Sequence, residues 1–152
     1  MIFLGKPYHI ATQFPTTKFQ QLIRINNFPT FVTSKAVFDT KRINAYGTEW
    51  FVKILLCKYC QTNNKYIDVT SSPDQLEPET LAAFVCGIRS DRKECSFDVG
   101  ATFKFKQSDS VQQRRYFHRF CFDSTKDYYD WGYLDFVRID VIFALFYFCQ
   151  LF

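Results

Sequence analysis

A chain of 152 residues with a formal net charge of +4 is long enough for one domain with a real core, and two domains are not expected. Its composition, 47% hydrophobic and 20% aromatic with 19 Phe, 9 Tyr and one Met, favours sheet over helix because rings pack well on a pleated surface. Lys and Arg are scattered, so no nucleic-acid partner is expected. With 5 Gly and no Gly-rich phosphate loop, H-E-x-x-H, G-x-S-x-G or paired carboxylates on an apolar background, no enzyme is expected.

Residues 1 to 17 read as an irregular lead-in, broken by Pro7 and Pro15. They lack the apolar core and cleavage site of a signal peptide, which places the chain in the nucleus or cytoplasm. Lys18 to Phe28 suits a strand ending at the turn-prone Asn26-Asn27, and Phe31 to Phe38 a second, shorter one. Thr40 to Thr48 is a polar connection.

Trp50 to Cys57 is the clearest buried strand, with Trp50, Val52, Ile54 and Leu56 on one face and Phe51 and Leu55 on the other. Lys53 is its only charge. It either snorkels to a partner or donates a hydrogen bond to a ligand. Tyr59 to Pro78 is a long polar excursion with one short strand at Tyr66 to Thr70. Thr80 to Ile88 reads equally as a helix turn by Ala82-Ala83 or a strand by Phe84-Val85-Cys86.

Arg89 to Glu94 is a charged turn. Phe97, Val99, Ala101, Phe103 and Phe105 then alternate with polar or small residues, as in a half-buried antiparallel strand. Gln107 to Arg115 reads as a polar hairpin loop, Tyr116 to Phe122 as an aromatic strand, and Asp123 to Asp130 as an acidic loop. That loop leads to Asp130-Trp131-Gly132-Tyr133, where the glycine suits a tight bend between two stiff amphipathic rings. Such rings either plug a core or anchor a partner. The uncharged stretch from Val141 to Phe152 is an aggregation hazard unless buried or paired, and too short to span a bilayer, so no membrane partner is expected.

The 6 Cys are read as buried thiols of a reducing compartment. Cys57 and Cys60 have C-x-x-C spacing, and Cys86 and Cys95 would complete a four-thiolate set, but they do not form a second knuckle. No metal and no cofactor is expected. Neither His9 nor His118 has a neighbouring nucleophile in sequence.

Lys18-Phe19, Ile25-Asn26-Asn27-Phe28, Ser34 with Phe38, Trp50, Phe103-Lys104-Phe105, His118-Arg119-Phe120 and Asp130-Trp131-Gly132-Tyr133 with Phe136 and Asp140 form an ordered set. Over about residues 18 to 142 this set resembles the MATH (meprin and TRAF homology) domain, closest to the speckle-type POZ and BTB-MATH proteins. The resemblance implies an antiparallel β-sandwich of about seven to eight strands. Its shallow groove takes a short Ser/Thr-rich peptide, as the substrate-recognition part of a cullin-based ubiquitin ligase adaptor.

Carried over by motif, Asp130, Trp131, Gly132 and Tyr133 match the groove's far wall, with Tyr133 in place of a Phe. Phe103 matches a groove aromatic, Phe84 stands for a Tyr, Lys53 for an Arg, and His118 for a groove Tyr. The family's last strand and its BTB domain have no counterpart, and residues 143 to 152 form an apolar tail instead. The alternative expectation is a non-enzymatic structural or self-associating domain whose aromatic residues are core.

Overall fold

Alternating polarity builds the long strands and decides which of their faces are covered. The computed structural model describes residues 2–7, 17–19, 28–35, 37–70, 76–107 and 109–140. Among them the chain is an all-β antiparallel sandwich of two sheets. The strands are β1 (Ile2–Pro7), β2 (Thr17–Phe19), β3 (Phe38–Asp39), β4 (Ile43–Ala45), β5 (Thr48–Cys60), β6 (Lys65–Asp68), β7 (Thr80–Ile88), β8 (Cys95–Gln107), β9 (Ser110–Phe122) and β10 (Tyr128–Arg138). One sheet has the order β2-β1-β8-β9. The other has the order β10-β7-β5-β3, with β4 and β6 also paired to β5.

Strand β5 is covered on both faces, as its unbroken apolar run predicts. Trp50, Val52, Ile54 and Leu56 face the other sheet and meet Leu81, Ala83 and Val85 of β7 and Phe97, Val99, Phe120 and Phe122 of β8 and β9. Leu55 and Cys57 lie in a second, smaller cluster with Ala82, on the outer face. Trp50 is the hub of the interior: Phe97 lies edge-on at 5.4 Å, Phe120 at 5.5 Å and Phe122 at 6.4 Å between ring centres. Such pairs contribute about 0.5–1.5 kcal/mol each beyond their buried area. Gly87, opposite Trp50 in register, leaves room for these rings, since a Cβ there would meet Phe122 Cζ at 2.9 Å.

Arg89, at the end of β7, clasps the turn before β5. Its guanidinium donates to the Tyr46 carbonyl at 2.9 Å and to Thr48 Oγ1 at 3.2 Å, and forms a fork with both Asp91 oxygens at 2.7 and 2.6 Å. Hydrogen bonds from Arg89 and from the Lys93 backbone hold the Asp91 carboxyl below the usual range.

Several expectations need correction. Residues Ile2–Pro7 of the supposed lead-in are a strand, paired antiparallel with β8 at Ile2↔Ala101, Phe3↔Gly100 and Leu4↔Val99. The strand expected from Lys18 is described only as far as Phe19, and residues 20–27 lie outside the described residues, as does the tail from Val141. Phe31 begins no strand: Phe28–Ser34 is a short helix, α1. Pro29 is tolerated in a first turn, where no amide donor is required, and Val32 drops into the core. Thr80 to Ile88 resolves as strand, and the register from Cys95↔Phe122 to Gln107↔Ser110 reduces the expected loop at 107–115 to a tight hairpin. The polar run from Gln112 to Arg115 is an edge strand with little to cover it.

Candidate functional site

The Asp130-to-Tyr133 motif is not a loop end. It sits in mid-strand on β10, which among the described residues pairs only with β7 in its sheet, at Asp130↔Cys86, Trp131↔Val85, Gly132↔Phe84 and Tyr133↔Ala83. Gly132 does not adopt a left-handed φ. A Cβ there would collide with the Ala83 carbonyl oxygen, and would stand 2.7 Å from Phe84 Cα. The glycine therefore provides space for close strand approach, not a bend.

Alternation along β10 sends its side chains to two faces. Tyr129, Trp131 and Tyr133 turn toward β9, where they close the lateral opening between the sheets. The Trp131 indole stacks on the His118 imidazole at 3.9 Å and 3°, yet remains 46% exposed. The Tyr116 hydroxyl donates to the Trp131 carbonyl at 2.8 Å, and the Tyr133 hydroxyl to the Arg115 carbonyl at 2.6 Å. Arg114 adds an ion pair to Asp135 at 2.9 Å and lies over the Tyr133 ring at 5.0 Å.

Phe103 is 9% exposed and packs on Tyr116, Phe136 and Tyr133 at 5.8, 5.7 and 6.4 Å. It backs the aromatic wall from inside the core, and its expected place as a groove-lining ring is thus corrected. The alternation that puts Phe97, Val99 and Ala101 inside puts Phe103 there too.

The other face of β10 carries a polar cluster. Lys53 Nζ donates to the Tyr128 hydroxyl at 2.9 Å, and that hydroxyl donates to Asp130 Oδ2 at 2.9 Å. The Cys86 sulfur lies 3.4 Å from the Tyr128 hydroxyl oxygen. Phe84 is half-buried beside this cluster, packed on Leu55, Cys57 and Ala82. Lys53, Phe84 and Gly132 lie opposite one another across three strands.

The eight residues singled out in sequence therefore do not line one pocket. Trp131, Tyr133 and His118 form a wall on the β9 side, with Phe103 behind it, while Asp130, Lys53 and Phe84 occupy the opposite face. The Gly132 backbone runs between the two groups. Sequence reasoning missed Tyr116, Tyr128 and Tyr129. Tyr128 was legible in principle, since it stands two residues before Asp130 and shares its face once β10 is known to be extended.

Burial pushes the Cys86 thiol up to about 11 and the Cys57 thiol up to about 12. Burial likewise holds the Tyr128 hydroxyl above its ordinary range. These groups stay protonated at neutral pH and offer neither a nucleophile nor a base. Cys57 and Cys60 lie three apart on a strand, so their side chains leave opposite faces and do not converge on an ion. Among the described residues no group of three or more His, Cys, Asp or Glu could hold a metal.

The His118 imidazole is held below its ordinary pKa by desolvation and then by the Lys126 charge. Its Nε2 lies 3.2 Å from the Tyr129 hydroxyl, and Lys126 sits 3.8 Å above the Tyr129 ring. A His whose folded pKa is depressed favours folding when neutral, and that preference is lost as pH falls through the unfolded value, about 6.5. The NMR titration of His118 is therefore expected to have its midpoint below about 6.5, and acidification below that pH to lower the melting temperature more in the wild type than in His118→Gln. A midpoint above it would mean that the indole face stabilises the imidazolium more than burial opposes it.

A separate depression of about 360 Å³ is lined by Lys58, Tyr59, Cys60, Ile67, Leu76 and Glu79, with no residue from β10. No helix among the described residues is long and apolar enough to cross a membrane. Compared with protein-family models, curated proteins and solved structures, the chain matches none.

Proposed function

We propose that the chain is a peptide-recognition module of the MATH type, binding short Ser/Thr-rich linear motifs along the outer edge of β10. As in speckle-type POZ proteins, it would serve as the substrate-recognition part of a cullin-based ubiquitin ligase adaptor. The observation that carries this reading is the half-exposed Trp131 indole on a strand paired on one side only among the described residues.

The Trp131 carbonyl accepts from Tyr116 of β9 but is itself turned toward β7: the Glu79 carbonyl and the Arg89 amide point to the β10 side, which by alternation puts the backbone groups of Val85, the register partner of Trp131, on that side too. Backbone groups of one residue point to one side of an antiparallel strand, and alternate residues share that side. The amides and carbonyls of Asp130 and Gly132 thus form the edge that an added strand would use. A carbonyl oxygen has two lone pairs, so the Trp131 carbonyl can serve the β7 ladder and the Tyr116 hydroxyl together. An apolar side chain of the peptide would lie on the Trp131 and Tyr133 rings, and its hydroxyls would meet Asp130 and Lys53 across the glycine. Lys53 offers a point charge without the fork of an arginine, which implies weaker selectivity among hydroxyl and carbonyl patterns.

Titration of a labelled peptide, one apolar residue followed by Ser and Thr, tests the reading. Trp131→Ala is expected to weaken binding about tenfold or more, roughly 1.4 kcal/mol, with little change in melting temperature. Equal binding by both proteins would refute it. Loss of stability without loss of binding would favour the alternative, in which the rings serve only to close the sandwich.

A further inference from the structure

The Lys and Arg residues that look scattered along the chain are gathered by the two-residue period of the β8–β9 hairpin. On the face turned away from the core, the register places Lys106 opposite Val111, Lys104 opposite Gln113, Thr102 opposite Arg115, Gly100 opposite Phe117 and Asp98 opposite Arg119. Phe117 is 84% exposed, far more than any other large apolar side chain among the described residues. A Cβ on Gly100 would meet its ring at 2.6 Å, so the ring leans over a bare stretch of backbone. At one end of this face Arg119 is paired with Asp98 at 2.9 Å. On the other side of Phe117, Arg115, Lys104 and Lys106 are exposed, and no carboxylate among the described residues forms an ion pair with them.

We propose that this outer face of the β8–β9 hairpin is a second docking surface, distinct from the β10 edge, that takes an acidic linear segment of another protein. One apolar side chain of the segment sits on Phe117, and carboxylates following it meet Arg115, Lys104 and Lys106. From Phe117 to Val111 the strand runs about 20 Å, the reach of roughly six extended residues. Ring and charge side by side define what complements them, an apolar side chain followed by carboxylates.

Two other occupants fit less well. A second copy of the chain would bring like charges together. Single-stranded nucleic acid stacks successive bases on a series of rings, and on β8 and β9 the other outward positions Thr102, Val111, Gln113 and Cys121 carry none.

The test is fluorescence anisotropy on the full chain with a labelled peptide of one Leu followed by six alternating Asp and Glu. Controls are the same peptide with Ser for Leu, and a single-stranded oligo-dT of similar length. Saturable binding is expected that weakens about tenfold with Phe117→Ser and with the Ser peptide. It should weaken similarly with the pair Lys104→Glu and Arg115→Glu, and fall as salt rises from about 50 to about 300 mM. Trp131→Ala should change it less than about twofold, which separates this surface from the β10 edge. Phe117 is exposed, so its substitution leaves the fold intact, and the charge pair tests the surface independently. Absence of saturable binding, or binding indifferent to Phe117, would overturn the proposal. Tighter binding of oligo-dT, lost with Phe117→Ser, would overturn it in favour of nucleic acid.

Discussion

Gly132→Ala is expected to destabilise the domain by about 3 kcal/mol or more, at the upper end of what overpacking costs. The reason lies in what the new methyl would strike. At Gly132 it meets the Ala83 carbonyl and, at 2.7 Å, Phe84 Cα, all of it backbone in the adjoining strand. Neither can give way without parting β10 from β7. For a domain of this size the loss corresponds to a fall in melting temperature of about 6–12 °C. Gly100→Ala is the control. Its methyl strikes only the Phe117 ring, which is exposed and free to swing aside, so relief of glycine's entropy cost offsets much of the contact. Displacing β10 would also pull Trp131 and Tyr133 off the carbonyl and hydroxyl partners that tie them to β9. Peptide binding should therefore fall with stability in Gly132→Ala. Melting curves for the two variants within about 1 °C of each other would refute the crowding account.

The same glycine shows where sequence reading stops. A Gly between Trp and Tyr signals that a side chain is not tolerated, but not whether the freedom is used for a positive φ or for space. Alternation identified β8 and the inward face of β5, because a single strand's pattern suffices for that. It also placed Phe103 in the core, against the groove position that motif resemblance implied. What single-strand patterns cannot contain is pairing between distant segments. His118 meets Trp131 only because β9 and β10 are the neighbouring edges of two different sheets. Lys53 meets Tyr128 only because β5 and β10 flank β7 on either side. Edge strands are misread for a related reason. With one side open they keep polar residues, so the start of β9 has a loop's composition, and the part of α1 from Phe31 reads as strand because a helix of 7 residues is too short to show a period.

Trp50→Ala is expected to cost about 3–5 kcal/mol, the range for removing a fully buried large aromatic, out of a total near 5–15 kcal/mol for a domain. Trp50 is 1% exposed and three rings pack against it, so its removal leaves a cavity walled by side chains that hold one another in place. Its Nε1 also donates to the Ala45 carbonyl at 3.3 Å, an acceptor left without that donor in the variant. The comparison with Trp131 carries the functional argument, since the chain has 2 Trp and the fold assigns them opposite tasks. Trp50→Ala should unfold at much lower denaturant concentration, while Trp131→Ala should melt near the wild type and lose peptide. Fluorescence separates the two sites. In Trp131→Phe the remaining indole should emit to the blue and resist acrylamide, and in Trp50→Phe it should emit to the red, be quenched freely and respond to added peptide. Equal costs in stability for the two alanine variants would mean that both rings are plugs, and the β10 edge would then have no exposed platform on which to receive a strand.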